Sequence, residues 1–353
     1  MFTIDEILNN RNPFWTQKGP RNDIVLSSRV RLARNTNLPF AHNLDDFDCE
    51  YLFSVAENFA SRNQESLKFI KISDLDLHQK RLLREKNIIT SEMESGDNSA
   101  VIIDKDKDGT ILINDTDHFK IQVIKSGFQL HKAFMVAETL DDELNKFVPY
   151  TFLDTLGYLS PDPLRCGTGL KVSLILHLPA LTILKRISDL VPFVKDGGFQ
   201  IGGTLAGSGR IVGGLYLLSN KVKFGLSEVE VLDAADDIAN RIIKLEDESR
   251  DDFFDASRRE FEDFVCRALG LLLYSRRINY VEAIENLSRV RLGIIMSVIK
   301  EYDLSLVNDL MVKIQWSHLQ EYFGIRFKSI VDSDDYRAYM IRSELTKGGD
   351  RNV

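Results

Sequence analysis

Asp23-Ile24-Val25-Leu26-Ser27-Ser28-Arg29-Val30-Arg31-Leu32-Ala33-Arg34-Asn35 is the stretch on which the reading of this chain turns. Its first residues, Asp23 to Leu26, are mostly apolar and β-branched, which predicts a strand over about 22–32. Side chains alternate across a strand, so Arg29 and Arg31 leave one face, roughly 6.6 Å apart along it. Two guanidinium forks at that spacing suit neighbouring phosphates of a nucleotide, because guanidinium is always charged and binds phosphate oxygens in pairs. The same spacing suits a solvated sheet edge, where charge prevents aggregation. An edge favours lysine, and here three arginines fall within six residues with no lysine among them. Spacing alone leaves both readings open.

The 353 residues are 44% hydrophobic, enough for one large or two ordinary domains with a real core. The net charge of -8 makes the chain a poor general binder of nucleic acid or of anionic membrane, while leaving room for a local basic pocket. Cys49, Cys166 and Cys266 are far apart and form no CxxC pair. That usage fits a reducing cytoplasm and argues against a disulfide framework or a zinc cluster, so no metal site is expected. Met1 to Glu6 shows no basic n-region and no long apolar core, hence no signal peptide. No apolar run approaches the roughly 20 residues needed to span a bilayer. The expectation is a cytoplasmic protein.

Organisation follows from periodicity. Residues 1–20 predict a short helix and an irregular arm containing Pro13, Trp15 and Pro20. Leu52, Phe53, Val55, Ala56 and Phe59 fall at helical spacing within 45–64. A second helix is expected over 74–85. Ala100 to Ile103 and Thr110 to Ile113 predict a strand pair about a charged turn, Phe119 to Ile124 another strand, and Gly127 to Phe147 an amphipathic helix. Gly169 to Leu178 predicts a strand, after which Pro179 opens a helix, because proline suits the first helical turn. Two strands, 199–203 and 214–219, flank a glycine-rich loop, and a charged helix covers 226–248. Strands and helices do not alternate regularly, so the class is α+β rather than doubly wound. From 251 the apolar residues fall at helical spacing only. The division expected is an arm over 1–21, an α+β domain over 22–250 and an all-helical domain over 251–353.

Several motifs carry two readings. Asp104-Lys105-Asp106-Lys107-Asp108-Gly109 imitates the start of a calcium loop, but its flanks are strand-like and position twelve is Asp115 where a bidentate Glu is needed, so a charged hairpin turn is preferred. Gly202 to Gly209 could cradle phosphate, yet it lacks the Gly-Lys-Ser/Thr ending of a P-loop and does not fit GxGxxG; a flexible loop is the default. Asn114-Asp115-Thr116-Asp117-His118-Phe119-Lys120 gathers carboxylates, a His and a Lys at a turn, which alone reads as a polar hairpin tip. Gly157 to Lys171 is a long Pro/Gly-rich loop of the kind that tends to be functional. Cys166 within it has no identifiable His/Asp partner and reads as an inert thiol.

Taken together, Ser27 to Asn35, Asn114 to Gln122, Gly157 to Pro179 and the loop at 202–214 resemble the ATP:guanido phosphotransferases in order and spacing. Among these the chain is similar to the bacterial protein-arginine kinases, which phosphorylate arginines on proteins. The strongest runs are Ser27 to Asn35 and Gly167-Thr168-Gly169-Leu170-Lys171 followed by His177-Leu178-Pro179-Ala180-Leu181. The resemblance implies a phosphagen-kinase catalytic domain, an antiparallel sheet flanked by helices, followed by an all-helical C-terminal domain. It implies arginines that clamp the phosphates of ATP, magnesium carried by the nucleotide, and a carboxylate that orients and deprotonates the substrate guanidinium. Positioning and charge neutralisation then supply the catalysis.

Carried over residue by residue, Arg29 and Arg31 match the first pair of phosphate-binding arginines. The family's Asn-Glu-Glu-Asp-His-x-Arg run becomes Asn114 to Lys120, with His118 kept, Thr116 in place of the main catalytic Glu, and Lys120 in place of Arg. The Arg after Gly-Thr-Gly is Lys171, and the substrate-side Cys is Asp162. In the glycine loop an Arg is replaced by Gly202 and a Glu by Gly207. The implied nucleotide contacts are therefore Arg29, Arg31, His118, Lys120 and Lys171. Lysine keeps charge but loses the bidentate fork. Thr116 and Gly207 remove both carboxylates expected on the guanidinium, leaving Asp115 and Asp162 as candidate substitutes. A positioned base is worth about 10²–10⁴ in rate.

Near the C-terminus, Ser333-Asp334-Asp335-Tyr336-Arg337-Ala338 keeps Asp, Arg and Ala of an Arg-Asp-x-x-Arg-Ala motif that in the related kinases recognises phosphoarginine. Asp334 and Arg337 form the implied pocket, and an i, i+3 helical pair is the alternative. Two functions result: an ATP-dependent protein-arginine phosphotransferase of reduced activity, or an inactive relative that binds nucleotide or a partner and regulates Clp-type proteolysis. The implied partners are nucleotide and protein substrates or adaptors of the Clp system, with a homodimer compatible with the resemblance.

Overall fold

The computed structural model describes residues 17–62, 65–104, 109–204, 210–221 and 225–349. In chain order its strands are β1 (Val25–Arg34), β2 (Leu67–Lys71), β3 (Ala100–Asp104), β4 (Gly109–Ile113), β5 (Phe119–Ser126), a small hairpin of β6 (Phe152–Leu153) and β7 (Gly157–Tyr158), then β8 (Leu170–His177), β9 (Phe199–Gly203) and β10 (Leu215–Asn220). Eight of them form one sheet ordered β2-β3-β4-β5-β1-β8-β10-β9, and every neighbouring pair is antiparallel. Seven helices accompany the sheet: α1 (Asp46–Ser61), α2 (Leu77–Glu85), α3 (Ser91–Ser95), α4 (Leu130–Asn145), α5 (Pro179–Ile183), α6 (Ile187–Asp196) and α7 (Glu228–Ala256). Five more make the C-terminal region: α8 (Arg258–Tyr274), α9 (Tyr280–Ile295), α10 (Leu304–Lys313), α11 (Trp316–Phe323) and α12 (Ile330–Gly349). The fold is α+β with a helical C-terminal region.

Alternation along β1 sorts the sheet into two faces. Val30 and Leu32 join Ile121, Val123, Val172 and Leu174 in the main core, which α1, α4 and the first half of α7 cover. Arg29 and Arg31 leave the opposite face. At the β2–β4 end that second face is closed by α2 and α3, whose Leu82, Leu83 and Met93 pack on Ile70, Val101, Ile103 and Leu112. A third apolar cluster holds the helical region together around Phe261, Val265, Leu287, Leu310, Leu319 and Ile341.

Element ends follow local chemistry. The second helix starts at Leu77 rather than 74, because Asp76 and Gln79 form a capping box. The amphipathic helix starts at Leu130 rather than Gly127, whose φ of +68° places it in a turn. The charged helix runs to Ala256, past the acidic stretch, and Ser257 then accepts a hydrogen bond from the Glu260 N–H to cap α8. Strand β2, the β6–β7 hairpin and α6 were not expected from periodicity. The expected N-terminal helix, and residues 105–108 of the charged turn, lie outside the described residues.

The sheet and the helical region are joined through a buried guanidinium. Arg291 on α9 is fully buried. It donates to Asn308 Oδ1 at 2.9 Å, to the Asp23 carbonyl at 2.8 Å, to His177 Nδ1 at 2.7 Å and to the Asn22 carbonyl. Because Nδ1 accepts, the His177 proton sits on Nε2, which donates to Ser288 Oγ at 2.7 Å. Burial, then the charges of Arg291 and Arg250, push His177 well below its ordinary value, so it stays neutral. Beside it, Glu246 accepts from the Ala180 and Leu181 N–H groups and from Arg250. Removing the Arg291 side chain strands several buried acceptors. Arg291→Ala is expected to lower the unfolding free energy by about 3 kcal/mol or more, measured by urea denaturation; a loss under about 0.5 kcal/mol would mean the network contributes nothing net.

Candidate active site

Register brings the sequence-selected cations together. Arg31 stands opposite Gln122 on β5 and opposite Lys171 on β8. Arg29 lies two residues back on the same face, and Lys120 lies two residues before Gln122 on its strand. Among the described residues, the Arg29 and Lys171 side chains make no hydrogen bond and no ion pair. Arg31 spends one N–H, Nε, on Gln122 Oε1 at 2.8 Å. Burial, then the Arg31 charge, pushes Arg29 well below the ordinary guanidinium value. Burial, then Arg31, Arg165, Arg29 and Lys120, pushes Lys171 down. Guanidinium keeps its proton regardless; the shifts register a half-buried group of like charges that an anion would relieve.

Lys120 is placed differently. Its Nζ is held by the Asp115 carboxylate, with Thr116 Oγ1 at 2.8 Å. Asp115 also accepts from Thr90 Oγ1 at 2.8 Å. Burial would raise Asp115, but the Lys120 charge and hydrogen bond, with Thr90 and the Thr116 N–H, hold it below the ordinary carboxylate value. Asp115 is thus ionised but already occupied. Thr116 is exposed, its hydroxyl shared between Lys120 and Asp117. Asp162 stands on the loop after β7, 3.3 Å from Arg165 Nε, with both side chains largely exposed. Gly207 lies outside the described residues.

His118 is not brought to the cation face. It is fully buried, its Nδ1 accepts from the Thr36 N–H at 3.1 Å, and its Nε2 donates to the Pro39 carbonyl at 2.7 Å. Burial lowers its pKa, so it is a neutral strut for the chain leaving β1. Arg34, the third arginine of the opening stretch, points away from Arg29 and Arg31. It pairs with Asp141 at 2.6 Å and stacks 3.6 Å from the Tyr158 ring centroid. Cys166 is buried, its Sγ 3.9 Å from the Ser160 carbonyl.

Beside Arg29, a small space lined by Asn87, Ile124, Ser173, Ile175 and Leu217 opens on the sheet face. Asn87 and Ile175 also line a cavity of about 680 Å³ between the sheet and the helical region, whose walls include Tyr280, Met311, Trp316 and Arg337. At its far wall Arg337 donates to the Ile314 carbonyl at 3.0 Å and the Ile278 carbonyl at 3.1 Å, and pairs with Asp334. Ser333, where the related motif has its first Arg, is buried and donates to the Ile330 carbonyl at 2.6 Å. Among the described residues no group of three His, Cys, Asp or Glu side chains could hold a metal ion, and no helix is long and apolar enough to cross a membrane.

An antiparallel sheet with paired arginines on its middle strand is the architecture of a guanidino-phosphotransferase catalytic domain. The profile of the ATP:guanido phosphotransferase C-terminal catalytic domain matches residues 50–249, and that of the protein-arginine kinase McsB C-terminal domain matches residues 258–352. The protein-arginine kinase of Brevibacillus brevis is 33% identical over 344 residues, covering 95% of this chain and 96% of that one. That of Bacillus subtilis is 32% identical over 334 residues, covering 93% and 92%. The fold is shared with the lombricine kinase crystal structure, at a TM-score of 0.56 and 19% identity over 68% of this chain and 70% of that one. It is also shared with the substrate-free duplicated taurocyamine kinase of Schistosoma mansoni, at 0.59 and 17% over 91% and 51%. The chain belongs to the ATP:guanido phosphotransferase family, on its protein-arginine kinase branch.

At Gly202, β9 leaves the cation face without a side chain. It pairs with Leu217, which pairs with Ile175, so a side chain there would join the cation face. A Cβ built on Gly202 meets no atom within 4 Å. Gly202→Arg is therefore expected to fold normally and to tighten Mg-ADP binding about tenfold, the effect of one charge-assisted contact. Isothermal calorimetry would read it; unchanged affinity in a folded variant would mean that a charge on β9 does not reach the nucleotide.

Proposed function

We propose that this chain binds Mg-ATP or Mg-ADP on the Arg29–Arg31–Lys171 face and transfers the γ-phosphate of ATP to arginine guanidinium groups of proteins at a reduced rate. The observation that supports this is the group of half-buried cations from β1 and β8, of which Arg29 and Lys171 have no partner among the described residues. The phosphates lie across these cations with magnesium carried by the nucleotide. The nucleoside end enters the space shared by Asn87 and Ile175. The α+β domain read over 22–250 carries this site, and residues of α9 to α12 wall the cavity beside it.

Transfer breaks the bond between the γ-phosphorus and the bridging oxygen, leaving ADP, and forms a phosphorus–nitrogen bond to the arginine. One guanidinium proton must leave. With Thr116 in the position of the usual carboxylate, that proton has no positioned acceptor there. Asp115 could accept it only by giving up Lys120, and Asp162 only by moving in from an exposed loop. The clamp still orients the phosphates, while the missing base costs about 10²–10⁴ in rate.

The occupied Asp115 carboxylate favours a second reading: a non-catalytic relative that binds nucleotide or an adaptor and regulates Clp-type proteolysis. At the other end of the cavity, Arg337 already serves two backbone carbonyls and Asp334, which favours a helix-packing role over phosphoarginine capture. Labelled γ-phosphate offered with an arginine-rich protein decides between the two. Slow acid-labile labelling that vanishes in Arg29→Ala supports the kinase reading, and labelling absent at high enzyme concentration supports the regulator. Both readings expect Mg-ADP binding by calorimetry, weakened about tenfold or more in Arg29→Ala. No binding at millimolar nucleotide would falsify the clamp itself.

A further inference from the structure

Gln122 is a neutral amide set among the cations. It is buried on β5, directly opposite Arg31. Its Oε1 accepts from Arg31 Nε at 2.8 Å. Its Nε2 donates to the Asn87 carbonyl at 2.8 Å and to Thr110 Oγ1 at 3.3 Å. The amide can sit only one way round. Turned over, it would set its NH₂ against the Arg31 N–H and its oxygen against the Asn87 carbonyl, two like pairs in place of two bonds.

The carbonyl that fixes the amide is itself fixed. Asn87 ends α2 with φ +58°, a left-handed conformation that asparagine tolerates better than most residues. The Asn87 N–H bonds the Arg84 carbonyl and the Ile88 N–H the Leu83 carbonyl, closing the helix end. Direction thus passes from the helix end to the amide, and from the amide to the guanidinium.

Arg31 has competing attractions nearby, since Asp115 and Glu92 both act on its charge. Pairing with either would neutralise it, as Asp115 neutralises Lys120. Gln122 takes the Nε edge without charge. It leaves both Nη groups, and the full positive charge, for a ligand.

We propose that Gln122 is a positioning residue of the phosphate clamp: it orients Arg31 through Nε and keeps that guanidinium unneutralised. The proposal rests on the nucleotide reading above, so its test carries one arm that does not. In Mg-ADP calorimetry, Gln122→Met is expected to lose about tenfold in affinity. Gln122→Glu, which keeps an acceptor but adds a charge, is expected to lose at least as much. In the Arg31→Ala background, Gln122→Met should add little, because both changes remove one unit. Losses that add in full, or wild-type affinity in a folded Gln122→Met, would overturn it. The independent arm is the Arg31 Nε–H resonance of the wild-type protein by NMR. A slowly exchanging Nε–H without nucleotide supports the geometry, and one exchanging as fast as an exposed arginine sinks it even if the variants do not fold. Absent nucleotide binding with a protected Nε–H would retire the nucleotide reading and leave the positioning intact.

Discussion

Strand β1 has two neighbours, β5 and β8, and two faces with incompatible demands. Val30 and Leu32 must reach the core, and Arg29 and Arg31 must not. A slip of one residue against either neighbour would drive both arginines into the apolar layer beneath α1 and α4, so register is strongly specified. The rest of the chain is arranged around that specification. The core face is sealed by helices, while the second face is sealed at the β2–β4 end and left polar at the middle. The cation-bearing surface is the half of a central strand that hydrophobicity rejects.

Charge across the sheet is distributed rather than simply accumulated. Arg34 is neutralised by Asp141 and works as a packing element. Lys120, on β5, is neutralised by Asp115, a carboxylate on the turn that leads into that strand. Arg31 is held by an amide and stays charged, and Arg29 and Lys171 have no partner among the described residues. Three degrees of neutralisation thus occur within one sheet, and they separate groups that hold the fold from groups available to an anion. Buried pairs such as Arg34–Asp141 add little net stability but would be costly to break.

The sequence was most informative where one rule governs many residues. Two-residue alternation put Arg29 and Arg31 on one face, and helical spacing located α1 and α4 and marked the C-terminal region as helical. It failed where the deciding partner is remote. The same alternation sends Arg34 to the other face, yet nothing local identifies Asp141 as its partner. Strand β2, Leu-Lys-Phe-Ile-Lys at the sheet edge, shows no clean alternation because it is partly covered on both sides. His118 was assigned to nucleotide by family resemblance, and its burial against Thr36 and Pro39 has no signature in the run that carries it. Gln122 had one: a polar residue at Lys120's parity, flanked by the apolar Ile121 and Val123. What it bonds depends on the turn after α2, which the sequence leaves unresolved.

Composition changes near residue 250, and it is tempting to treat that point as a seam. The bonds do not stop there. Helix α7 runs through it unbroken from the sheet's core to the Phe253 and Phe254 contacts of the helical region. Arg291 reaches back across it to the carbonyls of Asn22 and Asp23, the residues that lead into β1. A chain cut at 250 would leave those carbonyls and the His177 imidazole facing water at the root of β1. The two halves are therefore not interchangeable modules. A helical region grafted onto this sheet has to bring a guanidinium to the Arg291 position, or those carbonyls lose their donor.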